Sequence, residues 1–377
     1  MASPASPPPL REKLDPMESI AALYGEGQEE TSRAICASIN RRIFAGEAPA
    51  PSDVVRRGLA RIVLRLLRKT TKPLTRTGPD GKAMVFYRNS ILERSGHPYA
   101  ATLLEPSRAD TSSFVEGGDP MNAIYMMLAP EIARNATLWD KFLLDSVQSR
   151  DVQWRFVHET LMTHELAAAR LKRGQSVRMK AVAGGTGLSM ILVLEQLLRE
   201  GYDPSLISAT ITDREESNIR KAQRLLEKLA GTRLHLNSDP GAPGISVHTE
   251  DILDESAMDT KTGDYDIITL VGILEYFPGT TYITSEENLG EPAPEGPADA
   301  TDLIRKIGRM AAASGHLITN TYRLGAAAQL LETFGKRFRY RGREEMCRLV
   351  AAGGFVPTGK FASANIFDVE VFEKRSG

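Results

Sequence analysis

Cysteine is nearly missing from this chain of 377 residues, which holds only Cys36 and Cys347. Two thiols so far apart in sequence build neither a disulfide scaffold nor a four-cysteine zinc site. Such scarcity suits a reducing, cytoplasmic setting. An excess of charge of one sign is missing too. Forty-seven Lys and Arg against 48 Asp and Glu leave a net charge of -1. No global field therefore draws the chain onto nucleic acid or an anionic membrane. Nor does any run approach the ~18 uninterrupted apolar residues of a transmembrane helix. The N-terminal residues lack a basic start followed by an apolar core, so no secretory signal is expected. Pro7, Pro8 and Pro9 instead predict a disordered or extended arm over residues 1–11. What is present is ordinary for a soluble globular protein, 42% hydrophobic and 25% charged. The length suggests two domains, or one large domain with a cap.

The texture changes near residue 175. Before it the spacing is helical. Ile20, Leu23, Ile35, Ile39 and Ile43 mark one stretch, broken at Tyr24–Gly27 into two pieces. Ser52 is placed to cap a next helix with Leu59, Ile62, Val63, Leu66 and Leu67 on its apolar stripe. Residues 73–120 are turn-rich, with Gly78-Pro79-Asp80-Gly81 as a hairpin candidate. Helices resume from 120 to 171. After 175, strands and helices alternate. Strands are expected at 177–182, 206–212, 245–249, 265–271 and 316–321, helices at 189–200, 215–230, 300–312, 325–334 and 343–352. Two final strands, near 360–362 and 365–372, have no helix between them. This order predicts a Rossmann-like, doubly wound, mostly parallel sheet that ends in an antiparallel hairpin. It divides the chain into a helical cap over 12–172 and a sheet domain over 173–377. Residues 280–299 read as a long loop.

The most informative segment is Val182-Ala183-Gly184-Gly185-Thr186-Gly187, between the first of these strands and its helix. Glycines there let the backbone turn tightly and approach a ligand without a Cβ clash. In open α/β sheets the ligand lies beyond the carboxyl ends of the strands, at this crossover. Asp213 ends the second strand, about 26 residues beyond the turn. A carboxylate there suits a ribose diol; its bland alternative is a helix cap. Asp251 and Ile252 follow the third strand, placed to accept from an adenine amine and to cover the ring. The fourth strand runs into Gly272-Ile273-Leu274-Glu275-Tyr276-Phe277.

With these residues in order, residues 175–375 resemble the class I S-adenosylmethionine-dependent methyltransferases. The resemblance implies a Rossmann-like fold and S-adenosylmethionine as cofactor. It implies that Ala183, Gly184, Gly185 and Gly187 face the methionyl part, Asp213 the ribose, and Asp251 with Ile252 the adenine. Gly272 belongs with them at the end of the fourth strand. Two departures stand out. The family's first motif has an acid where this chain has Ala181, and a first glycine where it has Ala183. That acid commonly helps hold the cofactor's ammonium group, which leaves open whether a residue of the N-terminal region replaces it.

Methyl transfer from a sulfonium needs alignment, exclusion of water and a base for a neutral acceptor. Histidine is the natural base near pH 7. His248 and His316 fall in expected strands and His235 in a loop, which leaves His97, His158 and His164. His158 and His164 lie six apart on one expected helix and point to different faces. That spacing does not support a metal site, and no metal is expected. Glu275 and Tyr276, after the fourth strand, are candidates to act as base or to wall the acceptor site; Asn320 and Tyr322 end the fifth. The acid-free run Arg56, Arg57, Arg61, Arg65, Arg68, Lys69 and Lys72 reads as the solvated face of an amphipathic helix, and no interleaved aromatics point to nucleic acid. The favoured expectation is therefore methylation of a small molecule. Alternatives are attack on the methionyl carbon, by aminocarboxypropyl transfer or cyclisation with release of methylthioadenosine, and a non-catalytic adenosyl-ligand-binding protein. The acceptor atom and the oligomeric state stay open.

Overall fold

A computed structural model describes residues 16–47, 54–77, 83–104, 118–229, 244–252, 263–277, 300–334 and 338–375. The expected arm, the cap Ser52, the hairpin tip 78–81 and the loop 280–299 lie outside them. Helices α1 (Pro16–Tyr24) and α2 (Glu29–Phe44) are split where the glycines predict, Gly27 taking a φ of 66°. After α3 (Val54–Thr70), strand β1 (Thr71–Thr77) pairs antiparallel with β2 (Ala83–Asn89), flanking the Gly-Pro-Asp-Gly tip. Two short helices follow that the turn-rich composition hid, α4 (Ser90–Ser95) and α5 (Pro98–Leu104). Asn89 caps α4 by accepting from the Ile91 and Leu92 N–H groups at 3.1 and 3.2 Å, and Gly96 ends it with a φ of 63°. Then come α6 (Gly118–Met126), α7 (Pro130–Asn135), α8 (Leu138–Leu144) and the 25-residue α9 (Val147–Leu171).

From β3 (Val177–Ala181) onward the alternation appears as expected: α10 (Leu188–Arg199), β4 (Ile207–Asp213), α11 (Glu216–Leu229), β5 (Gly244–Thr249), β6 (Tyr265–Leu270), α12 (Ala300–Met310), β7 (Ala311–Tyr322), α13 (Ala326–Glu332), α14 (Arg343–Ala351), β8 (Phe355–Ser363) and β9 (Phe367–Lys374). The strands form one seven-stranded sheet in the order β5-β4-β3-β6-β7-β9-β8. The first five run parallel, and β9 is antiparallel to both neighbours. The doubly wound sheet with an antiparallel end is thus present. Two strands start about five residues earlier than expected: β7 at Ala311 rather than 316, and β8 at Phe355 rather than near 360.

Successive side chains on each strand point to opposite faces. Met179, Ile267, Ile318, Val369 and Val371 join the larger core with the N-terminal helices. Ile268, Leu270, Leu317 and Phe372 face the other way, against Leu303, Ile304 and Ile307 of α12 and Met346 and Val350 of α14. Helix α9 lies on the first face, packed on β3, β6, β7, β9 and α10. Its residues 151–157 are all buried, so protein surrounds this part of the helix. Its polar groups must then find partners inside. Asp151 accepts from Asn365 Nδ2 and the Ile366 N–H, both at 3.1 Å, and Gln153 donates to the Ile124 carbonyl at 3.0 Å. No described helix is long and apolar enough to cross a membrane.

Candidate active site

The strand order reverses at β3: β4 and β5 lie on one side, β6 and β7 on the other. A crevice opens at the carboxyl ends of β3 and β6 in such a sheet, and the glycine turn sits there. Ala183, Gly185 and Gly187 all take left-handed backbone, with φ of 49°, 58° and 67°. Ala183 holds that conformation at a cost of about 1 kcal/mol against glycine. The three left-handed residues have different surroundings. A Cβ on Gly187 would lie 2.7 Å from Ile211 Cδ1, so this glycine lets α10 approach β4. A Cβ on Gly185 would meet nothing within 4 Å. Gly184, half-buried, is closed in from below, where a Cβ would lie 3.0 Å from that of Ala181.

Asp213 braces the turn. It is 3% exposed, and its Oδ2 accepts from the Gly185 N–H at 2.8 Å. Its Oδ1 accepts from the Glu215 N–H at 2.9 Å and from Asn218 Nδ2 at 3.2 Å. The expected acid at the strand end is therefore also a cap and a clamp. Its carbonyl accepts from the Glu250 N–H at 3.0 Å, which ties the ends of β4 and β5 together. Asp251 follows, half-exposed and engaged, and buried Ile252 joins the apolar cluster that holds Val182 and Ile273. Ala183, Gly184, Gly185, Gly187, Asp213, Asp251 and Ile252 thus line one edge of the sheet.

Across the crevice, Gly272 follows β6 with a φ of 80°, and its N–H donates to Asn320 Oδ1 at 2.7 Å. A Cβ there would come within 3.1 Å of Arg155 Nη2. Arg155 comes from α9, is itself buried, and pairs with Glu275 at 3.3 Å. Glu275 is 5% exposed, and its Oε2 has no hydrogen-bond partner among the described residues. Burial raises its carboxyl above the ordinary range, against the pull of Arg155. Burial likewise pushes the Tyr276 and Tyr322 phenols well up, so both stay protonated. Arg341 fixes this corner, donating to the Leu274 and Phe277 carbonyls at 2.6 and 2.7 Å.

The histidines do not gather here. His164 sits 3.0 Å from Glu200, just past the far end of α10, about 18 Å of helix from the turn at ~1.5 Å per residue. His158 packs against Trp154 with ring centres 4.2 Å apart and planes tilted by 43°, and burial lowers its pKa. His97 is locked to Asp140 at 2.6 Å, inside the N-terminal helices. Among the described residues no cluster of three or more His, Cys, Asp or Glu is arranged to hold a metal.

Several residues here carried no signal of their own in the sequence. Tyr24 of α1 donates to Thr186 Oγ1 at 2.9 Å, and Thr186 donates to Asn122 Oδ1 of α6 at 3.0 Å. Helices of the N-terminal half therefore touch the glycine turn. Glu159 lies one turn beyond Arg155 on α9, with Ser189 and Thr269 beside its carboxyl. Its side chain is half-buried. Burial lifts its carboxyl to about 7. The available signal was polar residues, Arg155 and Glu159, spaced i,i+4 in an otherwise buried helix.

No protein-family model matches the chain, and no curated protein matches it. Among solved structures it is similar to the CurJ carbon methyltransferase, at 14% identity over 96% of this chain and 100% of that one, with a TM-score of 0.44. It is similar to the DszA carbon methyltransferase at 14% identity, over 94% of this chain and 93% of that one, with a TM-score of 0.41. A third, geranyl diphosphate C-methyltransferase from Streptomyces coelicolor A3(2), was solved with Mg2+, geranyl diphosphate and S-adenosyl-L-homocysteine. It shares 13% identity over 57% of this chain and 80% of that one, with a TM-score of 0.36.

Proposed function

We propose that the protein is an S-adenosylmethionine-dependent transferase that methylates a small molecule. The observation that carries this is Gly185. Its backbone is left-handed, Asp213 braces its N–H, and the place of its absent side chain is open, all at the switch point of the sheet. A ligand can therefore lie against the turn itself. The residues present fit the cofactor: Ala183, Gly184, Gly185 and Gly187 beside the methionyl part, Asp213 at the ribose, Asp251 and Ile252 at the adenine, Gly272 behind the crevice. Asp213 already accepts three hydrogen bonds. An ionised carboxylate has about four lone-pair sites, which leaves one for a ribose hydroxyl.

A bound S-adenosylmethionine supplies an electrophilic methyl group on a good leaving group. The chain's own residues must align the acceptor, keep water out and accept a proton. Glu275 Oε2 is the unpartnered acceptor at the crevice, placed by Arg155 and available to take a proton or hold an amine. Tyr276 remains a neutral phenol and walls the site. His164 takes no part in this reading. The helical region 12–172 shapes the acceptor pocket.

Incubating the protein with S-adenosylmethionine and analysing the products tests the proposal. Adenosylhomocysteine formed with an added acceptor supports it. Methylthioadenosine released without one shifts the reaction to the methionyl carbon. Tight binding with no consumption leaves an adenosyl-ligand-binding protein, and absence of binding overturns the cofactor reading altogether.

A further inference from the structure

Resting on that cofactor reading, we propose that the amino-acid end of the cofactor is read from the N-terminal half: Glu159 on α9 receives its ammonium and Asn122 on α6 donates to its carboxylate. The direction of the ligand places that end. With the adenine near Asp251 and the ribose near Asp213, the molecule runs from β5 across β4 toward β3 and β6. Its far end comes to the seam where Ala181 of β3 is paired with Thr269 of β6. Ala181 brings no polar group to that seam. Glu159 does, from the helix packed on β3, β6 and α10, with Thr269 beside it on the strand side and Ser189 on the α10 side. Ser189 in turn accepts from Thr160 Oγ1 at 3.2 Å, which joins α10 to α9 beside this carboxyl. A half-buried carboxylate placed there is arranged for a cation.

Asn122 is the independent observation. It is 2% exposed and touches the glycine turn through Thr186, which occupies its Oδ1. Its Nδ2 has no partner among the described residues. A buried amide donor left unmade costs free energy, so such a group beside a binding turn points to a ligand acceptor. One acceptor on α9 and one donor on α6 match an α-amino acid zwitterion.

The test compares two ligands that share the adenosine and differ in the amino-acid part, S-adenosylhomocysteine and methylthioadenosine. Glu159→Gln keeps the shape but removes the charge; Asn122→Asp keeps the shape and removes the donor. Calorimetry should show each variant losing tenfold or more in affinity for adenosylhomocysteine, with methylthioadenosine binding within twofold of wild type. Melting curves confirm that both variants are folded, and either variant alone carries the test of its residue. Equal losses for both ligands, or no loss for either, overturn the assignment while leaving the cofactor reading intact. Unchanged adenosylhomocysteine affinity with lost turnover in Glu159→Gln also overturns it, making Glu159 a base. Failure of the wild type to bind either ligand overturns the cofactor reading, and this assignment with it.

Discussion

Replacing Glu159 by glutamine separates what this side chain does for the fold from what it does for a ligand. In the free protein burial holds its carboxyl at about 7, against 4.5 for an ordinary glutamate. The unfolded chain thus releases this proton first, and the folded chain keeps it until pH 7. Below pH 4.5 both states are protonated, and the shift contributes nothing to stability. Above pH 7 both are ionised, and the folded state carries a charge it holds poorly, so stability falls as pH rises between the two values. A shift of that size corresponds to about 3 kcal/mol at ~1.4 kcal/mol per unit. Water reaching the cleft screens part of it. Glu159→Gln should therefore be more stable than wild type by about 1–3 kcal/mol at pH 8, and by almost nothing at pH 4.5. Urea denaturation of the two proteins at both pH values measures this. The pull of Arg155 on this carboxyl opposes burial and already enters the value of about 7. A difference that does not change with pH refutes the reasoning. So does a variant less stable at pH 8, which would mean that Arg155 stabilises the ionised carboxylate more than burial penalises it.

Ala183→Gly relieves a left-handed alanine but frees the unfolded chain, so the net change should lie between zero and about 1 kcal/mol of added stability; a loss beyond 1 kcal/mol in chemical denaturation would contradict it. Gly187→Ala forces a Cβ to 2.7 Å from Ile211 and should cost about 2–4 kcal/mol. Gly185→Ala meets no protein atom and should cost about 1 kcal/mol while weakening cofactor binding far more; paired melting and binding measurements separate the two glycines. Asp213→Ala unties the glycine turn and should weaken cofactor affinity tenfold or more at ~1.4 kcal/mol per decade, read by calorimetry; unchanged affinity in a folded variant removes Asp213 from the site.

The elements of the sheet half were legible because their signals are local. Alternating apolar runs, the glycines at 184, 185 and 187 and the acid at 213 mark strand ends and turns without reference to distant residues. The site's polar wall was not legible for the opposite reason. Arg155 meets Glu275 across 120 positions, and Thr186 meets Asn122 across 64. Nothing in the neighbourhood of either residue announces such a partner. The histidines misled by chemistry alone: residue type suggested a base, while packing sent His164 to Glu200 and His97 to Asp140. The short helices α4 and α5 hid because caps and left-handed stops such as Asn89 and Gly96 look like loop composition. The glycine at 187 carried two meanings in one letter, and only Ile211 beside it shows that helix packing is one of them.

The burial of α9 has a consequence for anyone recombining this chain with a relative. The change in texture near 175 invites a crossover there, with the helices before it exchanged as a specificity module. Such a hybrid would strip Met179, Ile267, Ile318, Val369 and Val371 of the helix that covers them. It would also take Arg155 away from Glu275, and Asp151 from the Ile366 N–H. A crossover ahead of Ser146, which caps α9 by accepting from the Ser149 N–H, would keep the sheet and its cover from one parent. The exchangeable unit, seen from the inside of the protein, ends a whole helix earlier than the sequence invites.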